Sequence, residues 1–297
     1  MNLLESLIKL VPASVRRRLI DRIKESVVPG ANQVLATLYS PPIAHTSGFE
    51  KVTWSRKSPS PRLPGVSLSL PPMNLVMGYG AAQEEFLSSG KMTANFIRTI
   101  LARENLSLGV GDSVMEWGCA SGRVLRHFEK EALQCEFWGL DQDADHINWA
   151  KENLSPPFKF VSSTAYPHFP FEDGKFKLVY GMSVFTHIFH LIDMWLMEFK
   201  RILAPGGYAI FTIHDENTWN WFAQNLNRRP KWLATEDMGK QLDADVTVYW
   251  GESGSWANTY TFFHSNWIMA EWSSYLKIVS IEPFAEYYQT AVVLKKV

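Results

Sequence analysis

The stretch Val114-Met115-Glu116-Trp117-Gly118-Cys119-Ala120-Ser121-Gly122-Arg123 decides the fold of this chain. It begins as a short apolar strand that carries one acidic residue, turns through small residues, and is predicted to open a helix at Arg123. Gly118 and Gly122 can adopt backbone angles that are closed to other residues. Free N–H groups at a helix start favour an anionic group. The stretch therefore predicts a ligand site at the end of a strand, for example for a cofactor carboxylate.

Outward from this strand, short apolar strands alternate with helical segments. Further strands are predicted at 136–140, 158–161, 176–180 and 208–213, and helices at 122–133, 144–153 and 191–203. This alternation is typical of a parallel sheet that is covered by helices on both faces. In such a sheet, ligands bind at the carboxyl ends of the strands, where the strand order reverses.

Helices and one extended connector are predicted before the opening strand. Residues 3–28 predict two amphipathic helices, and the basic face of the second helix would pack on the body or bind a partner or a membrane surface. Seven prolines in 41–72 predict an extended connector. Residues 82–105 predict a helical segment interrupted at Gly90.

The alternation ends after the fifth strand, where 219–263 contains ten aromatic residues. A hairpin is predicted from strands at 246–250 and 258–263. A helix capped by Ser265 is expected to run to about Tyr275, and strands at 277–281 and 290–294 complete the chain.

Composition narrows the class of partner. Lys plus Arg (29) balance Asp plus Glu (30), which gives no bulk electrostatic case for nucleic acid. Two cysteines are too few for a disulfide framework and indicate a reducing compartment. No long apolar run predicts a membrane span, and no signal peptide is recognised, so we expect a cytoplasmic protein that acts on a small molecule.

Two carboxylates at adjacent strand ends indicate the kind of cofactor. Asp141 ends the second strand and would accept hydrogen bonds from ribose hydroxyls, while Glu116 helps to fix the turn. Nicotinamide and adenosyl cofactors both suit this pair. The spacing Gly118-x-Ala120-x-Gly122 lacks the G-x-G-x-x-G register of dinucleotide folds, which disfavours pyrophosphate binding.

Four ordered motifs then resemble class I S-adenosylmethionine-dependent methyltransferases, over about residues 86–297. They are Glu116-x-Gly118-Cys119-x-Ser121-Gly122-Arg123, Gly139-Leu140-Asp141, Ser183-Val184-Phe185-Thr186-His187 and Leu203-Ala204-Pro205-Gly206-Gly207. The third is similar to bacterial small-molecule and glycan-locus methyltransferases. The resemblance implies a seven-stranded Rossmann-like α/β sheet, mostly parallel with an antiparallel last strand. An N-terminal helical and extended cap (1–85) precedes the domain (86–297), and an aromatic-rich lid is inserted at about 216–264.

The resemblance also implies the cofactor-binding residues. The methionine moiety of S-adenosylmethionine would be lined by Glu116, Gly118, Cys119, Ala120 and Gly122. Asp141 would hold the ribose, the adenine would lie beside Gln142, Ser163 and Thr164, and the sulfonium would lie above Met182 and Ser183.

This chain departs from the family pattern at two positions. Ala120 replaces the usual middle glycine, which is a mild change if its backbone φ is negative. Lys177 stands where the family often has aspartate, on the fourth strand.

The chemistry beyond the cofactor is less determined. His187 and His214, near the ends of the fourth and fifth strands, are candidate bases because imidazole titrates near neutrality; alternatively, His187 caps the next segment and His214 supports the site. The oxygen and nitrogen ligands in His214-Asp215-Glu216-Asn217 suggest a metal site. We prefer a solvated loop here and predict no metal. The aromatic insertion either completes the core or forms the acceptor pocket, and the residues expected to face the acceptor are Tyr79, Trp219, Trp250 and Tyr288.

The sequence thus predicts an enzyme that transfers a methyl group from S-adenosylmethionine to an oxygen or nitrogen of a small molecule or glycan. Two alternatives remain, a cofactor-binding subunit without activity and, less favoured by the turn spacing, a nicotinamide-dependent oxidoreductase. The oligomeric state is not predicted.

Overall fold

A seven-stranded sheet forms the centre of the protein in the computed structural model, which describes residues 67–76, 82–228, 233, 240–250 and 259–297. The expected helices in 3–28 and residue Tyr79 lie outside the described residues, as does the side chain of Trp250. The strands of the sheet are β1 (Ser113–Trp117), β2 (Glu136–Asp141), β3 (Lys159–Ser162), β4 (Phe176–Gly181), β5 (Leu203–Ile213), β8 (Lys277–Glu286) and β9 (Gln289–Lys295). The strands β6 (Val246–Trp250) and β7 (Thr259–Phe263) form a separate antiparallel pair.

The strand order of the large sheet is β3-β2-β1-β4-β5-β9-β8. The pairs among β1 to β5 are parallel, whereas β9 runs antiparallel to both β5 and β8. The order reverses between β1 and β4, where ligands bind in sheets of this kind. The predicted fold class is confirmed.

Side chains alternate between the two faces of the sheet, as the strand period of two requires. On one face, Val114, Leu178 and Ile210 lie in a fully buried cluster together with residues of the helices α1 (Gln83–Arg103) and α2 (Ala144–Leu154). On the other face, Met115, Val179 and Phe211 pack in a cluster with the helix α3 (Ile192–Ile202). Both faces are therefore covered, as predicted. No helix in the described parts of the chain is both long and apolar enough to cross a membrane.

The prediction of a helix at 122–133 is wrong. Two short 3-10 helices, Leu125–Phe128 and Glu131–Leu133, take its place. The Arg126 side chain donates to the carbonyl of Gly122 at 3.1 Å and to that of Ser69 at 2.6 Å, which draws the segment onto residues 67–76. The backbone of this segment forms the hydrogen bonds of a 3-10 helix, such as the one from His127 N to Val124 O. The turn after β1 therefore does not lead into an α-helical N-terminus.

Gly90 does not interrupt α1, which runs unbroken from Gln83 to Arg103. A Cβ atom at Gly90 would lie 2.1 Å from the carbonyl oxygen of Arg123. The glycine therefore permits close packing of the helix on the turn after β1, and its effect is on tertiary packing.

Several predicted boundaries change in the second half. The strand β5 begins at Leu203 and includes the Pro-Gly-Gly segment, with a register shift against β4 between Phe176 and Leu178. The hairpin strands β6 and β7 occur as predicted, after the helix α4 (Glu216–Gln224). Ser265 does not cap the helix α5 (Ser265–Glu271), because its hydroxyl donates to Glu216. The cap is His264, whose Nδ1 accepts from Asn266 N. The helix ends earlier than expected and continues as the 3-10 helix Trp272–Ser274.

Candidate functional site

The turn after β1 is fastened to the end of β2. The backbone N–H groups of Gly118 and Cys119 both donate to the carbonyl of Leu140, at 2.8 and 2.9 Å. Gly118 and Gly122 have φ angles of +73° and +75°. A Cβ atom at Gly118 would lie 2.4 Å from Val184 Cγ2. These glycines are required both by the backbone angle and by the space.

Asp141 holds this turn through its carboxylate. Its Oδ2 accepts from Ala120 N at 2.8 Å, and its Oδ1 accepts from Asp143 N at 2.9 Å. Burial raises the pKa of Asp141, and the two backbone donors act against that shift. Because each carboxylate oxygen has two lone pairs, both oxygens keep acceptor capacity for further hydroxyl donors.

Ala120 has a φ of +43°, so the negative angle that would make alanine a mild change is absent. A left-handed conformation costs a non-glycine residue about 1–2 kcal/mol. The N–H of Ala120 donates to Asp141, so the left-handed position lies within the hydrogen-bonded turn.

Glu116 is 3% exposed in the middle of the sheet. Burial raises the pKa of Glu116 to about 8. The positive charge of Arg123 and a hydrogen bond from the Tyr180 hydroxyl at 3.2 Å lower that pKa but do not offset the burial. Arg123 in turn pairs with the buried carboxylate of Glu286 at 3.1 Å, and both contact the Thr93 hydroxyl. The sequence reasoning missed Thr93 and Glu286, because they are far from Arg123 along the chain.

The connector and the third strand complete the surroundings of the turn. Ser121 Oγ donates to the carbonyl of Leu75 at 2.6 Å, so the residues just after the predicted connector lie on the turn. Ser163 is buried, and its N–H donates to the carbonyl of Asp141 at 2.8 Å. Thr164 is exposed and Gln142 is half-buried. We name the carboxyl ends of β1 and β2, with the turn 118–122 and Asp141, the β1/β2 edge.

A second group of polar side chains lies at the carboxyl ends of β4 and β5. Ser183, at a φ of +59°, donates its N–H to Thr212 Oγ1 at 2.6 Å. Its hydroxyl lies 3.1 Å from Thr186 Oγ1 and accepts from Gln289 Nε2 at 2.8 Å. Met182 precedes it and is buried. The sequence reasoning did not find the roles of Thr186 and Thr212, since only their contacts with Ser183 reveal them.

His214 follows β5 and is 1% exposed. Among the described residues, neither of its ring nitrogens has a hydrogen-bond partner. Burial lowers the pKa of His214 well below its usual value, and the charge of His187 acts in the same direction. The imidazole is therefore neutral at physiological pH.

Aromatic rings surround the two imidazoles. Tyr260 stacks on His214 with centroids 5.0 Å apart, and it meets His187 edge-on at 5.9 Å. His187 Nδ1 lies 2.6 Å from the Thr259 carbonyl oxygen, which can only accept, so Nδ1 carries the hydrogen. Tyr288 lies 5.8 Å from the His214 ring, and burial raises the pKa of Tyr288.

Trp219 belongs to the core of the insertion. It is 3% exposed, donates its indole N–H to the Lys240 carbonyl at 2.9 Å, and stacks on Tyr249. For Trp250, only the backbone position in β6 is described. We name the carboxyl ends of β4 and β5 and the start of β9, with Ser183, His214 and Gln289, the β5/β9 edge.

The acidic residues after His214 serve the helix α4. Asp215 caps it by accepting from Asn217 N and Thr218 N, and also accepts from Thr290 Oγ1 at 2.7 Å. Glu216 accepts from Ser265 N at 3.0 Å. In the described part of the chain, no group of three or more His, Cys, Asp or Glu side chains is arranged to hold a metal ion.

Known proteins resemble this chain in domain and in fold. The methyltransferase domain family matches residues 114–207. The fatty-acid O-methyltransferase of Mycolicibacterium smegmatis is 30% identical over 34% of this chain and 37% of its own length. The phthiotriol/phenolphthiotriol dimycocerosates methyltransferase 1 of Mycobacterium ulcerans is also 30% identical, over the same shares. The matched stretch thus spans little more than a third of each relative.

A solved structure supports the fold alone. The crystal structure of PH0226 protein from Pyrococcus horikoshii OT3 superposes with a TM-score of 0.50 at 17% identity, over 68% of this chain and 89% of that one. The predicted methyltransferase domain and its cofactor, S-adenosylmethionine, are confirmed. The domain match, the strand order and the turn after β1 support a class I S-adenosylmethionine-dependent methyltransferase.

Proposed function

We propose that this protein transfers a methyl group from S-adenosylmethionine to an oxygen of an apolar small molecule. One observation carries the proposal: the Asp141 carboxylate, at the end of the strand next to β1, holds the glycine turn after β1 and keeps lone pairs for a ribose. Nitrogen acceptors and glycans are the broader alternatives.

The β1/β2 edge supplies the groups for the cofactor. Asp141 would bind the ribose hydroxyls, with Gln142, Ser163 and Thr164 beside the adenine. The turn would accommodate the methionine moiety, because Gly118 and Gly122 let backbone approach closely. Glu116, once ionised, would attract the methionine ammonium group. Cys119, Ala120, Met182 and Ser183 would complete the lining, as the family resemblance implies.

The β5/β9 edge supplies the groups for the acceptor. His214, Tyr260 and Tyr288 form a largely apolar surrounding with few polar atoms, which suits an apolar ligand that carries one reacting group. The two relatives named above act, by their names, on fatty acids and on phthiotriol lipids, which supports an apolar acceptor. Trp250 and Tyr79 remain candidates for the same surrounding.

S-adenosylmethionine supplies a methyl group on a sulfonium, a good leaving group, so the protein's main contribution is to position the acceptor and exclude water. With the cofactor bound, the site would hold the acceptor oxygen in line with the methyl carbon. The new carbon–oxygen bond would form as the carbon–sulfur bond breaks, and the electron pair of that bond would stay on sulfur. The proton of the acceptor oxygen passes to neutral His214, or to His187 in the alternative assignment.

Isothermal titration calorimetry with S-adenosylmethionine tests the cofactor site. The Asp141→Ala variant is expected to bind at least about tenfold more weakly, since charge-assisted hydrogen bonds to the ribose are lost. Glu136→Ala, at the exposed start of the same strand, is the matched control and should bind like the wild type. An unchanged dissociation constant for Asp141→Ala would contradict the ribose assignment.

Two further measurements separate the alternatives. Cofactor binding without S-adenosylhomocysteine formation on a broad panel of hydroxylated and aminated acceptors would favour a subunit without activity. Saturable NAD binding without S-adenosylmethionine binding would contradict the proposal altogether.

A further inference from the structure

Gln289 is a buried polar side chain with one bonded and one unbonded end. It lies at the start of β9, is 4% exposed, and donates from Nε2 to Ser183 Oγ at 2.8 Å. Among the described residues, its Oε1 has no hydrogen-bond partner. A buried acceptor without a partner is costly, so such an atom in a site points to a ligand that donates to it.

The orientation of the Gln289 amide follows from its neighbours. Thr186 Oγ1 donates to the Ser183 carbonyl at 2.9 Å, which uses the only hydrogen of that hydroxyl. The Ser183 hydroxyl must then donate to Thr186 Oγ1 and present a lone pair to Gln289. The partner of Ser183 is therefore the NH₂ end of the amide. The Gln289 carbonyl oxygen is left as a pure acceptor.

His214 and Gln289 occupy facing positions on neighbouring strands. Ile213 pairs with Thr290 in the antiparallel register of β5 and β9, so the next pair outward is His214 with Gln289. Residues that face each other in such a pair project from the same side of the sheet. Thr212, which binds the Ser183 N–H, projects from that side as well. Three of the unpartnered buried polar atoms, Gln289 Oε1 and both His214 ring nitrogens, thus share one face of this edge.

These atoms define the chemistry of a ligand. A hydroxyl can donate its hydrogen to Gln289 Oε1, whereas a carboxylate has no hydrogen to donate and would face the negative end of the amide dipole. Burial keeps His214 neutral, so the imidazole brings no positive charge to offset a carboxylate. The rings of Phe222, Tyr260 and Tyr288 nearby provide an apolar surrounding for the rest of the ligand.

We infer that Gln289 selects acceptors that present a neutral hydroxyl on an apolar body, in preference to carboxylates. The inference rests on the proposed function and narrows its acceptor. Gln289 Oε1 accepts the hydroxyl hydrogen before transfer. As the oxygen bonds to the methyl carbon, the same proton passes to His214, and the sulfur keeps the electrons of the broken bond. Of the two relatives, the fatty-acid enzyme is then not the guide to the acceptor of this chain.

Calorimetry on the protein saturated with S-adenosylhomocysteine tests this with two probes of equal apolar body, 4-octylphenol and 4-octylbenzoate. We expect the phenol to bind at least about tenfold more tightly than the benzoate. Equal or tighter binding of the benzoate, or no binding of either probe, would overturn the inference.

Gln289→Leu should weaken phenol binding at least about fivefold and should not weaken benzoate binding, because the repulsive amide oxygen is gone. Gln289→Met, which keeps the length of the side chain, is the second variant if the first fails to fold. Unchanged phenol binding in the folded variant would also overturn the inference. The affinity for S-adenosylhomocysteine is measured in every variant: its absence in the wild type would contradict the proposed function, whereas a benzoate preference with normal cofactor affinity would contradict only the role of Gln289.

Discussion

The β1/β2 edge and the β5/β9 edge lie on the same rim of one sheet but differ in how their polar atoms are bonded. At the β1/β2 edge, Asp141 and the N–H groups of Gly118 and Cys119 are bonded to one another or to the adjacent strand. At the β5/β9 edge, His214 and Gln289 keep buried atoms without partners among the described residues. The first edge is preorganised by its own hydrogen bonds, whereas we propose that a ligand completes the second.

The largest expected effect breaks the support of the β1/β2 edge. In Gly90→Ala, the new Cβ would meet the Arg123 carbonyl at 2.1 Å, and the free energy of unfolding should fall by about 3 kcal/mol. In Gly109→Ala, the nearest atom is 3.9 Å away, and the change should stay within about 0.5 kcal/mol. Urea denaturation measures both. Equal stability of Gly90→Ala and the wild type would refute the close packing of α1 on the turn.

His214→Ala should separate the two edges most clearly. Loss of the proposed base should lower turnover about a hundredfold while the affinity for S-adenosylmethionine stays the same. His168→Ala, at a side chain that is 79% exposed, is the control. Near-normal turnover of His214→Ala would contradict the role of His214 as the base, and the β5/β9 edge would then contribute to catalysis only by positioning the acceptor.

Glu116→Gln acts only on the β1/β2 edge. We expect about tenfold weaker S-adenosylmethionine binding at pH 8, because the neutral amide no longer attracts the ammonium group. Glu152→Gln, exposed on α2, should bind like the wild type.

The pH dependence gives a second readout for Glu116. Burial raises its folded-state pKa to about 8, above the unfolded value, so the folded protein binds more protons and its stability should decline as the pH rises from about 4.5 to 8. Binding of the cofactor to the ionised form should strengthen over the same rise. Glu116→Gln should flatten both profiles, and unaltered profiles would contradict the assignment.

The smallest expected effect concerns the strained residue of the turn. Ala120→Gly relieves the φ of +43° but adds flexibility to the unfolded chain, for a net gain of about 0.5–1 kcal/mol in the free energy of unfolding. Ala102→Gly, in the helix α1, should show the opposite sign, a loss of about 1 kcal/mol. Thermal denaturation of the two variants measures both changes. Destabilisation by Ala120→Gly would show that the backbone angle of Ala120 is not strained.

The same contrast explains what the sequence could predict. The β1/β2 edge is built from two short contiguous stretches around Glu116 and Asp141, and strand period, glycine and acidic residue are all local signals. The sheet followed from the same periodicity. Gly90 was misread as a helix interruption because the atom that requires a glycine belongs to Arg123, which is distant in sequence.

The β5/β9 edge joins Ser183, Thr212, His214, Tyr260 and Gln289, and no sequence spacing connects them. Their partnership depends on the antiparallel register of β9 and on the placement of β7 beside His214. Non-local contacts of this kind appear only in the folded chain. The two histidines could be named from their strand ends, but their tautomer and burial could not.

A crystal structure with bound S-adenosylhomocysteine tests the central claim most directly. We predict that the ribose hydroxyls lie within hydrogen-bond distance of Asp141, the homocysteine moiety lies along the turn 118–122, and the sulfur faces Ser183 and Gln289. A ribose bound away from Asp141, or a sulfur directed away from the β5/β9 edge, would contradict the assignment of the two edges.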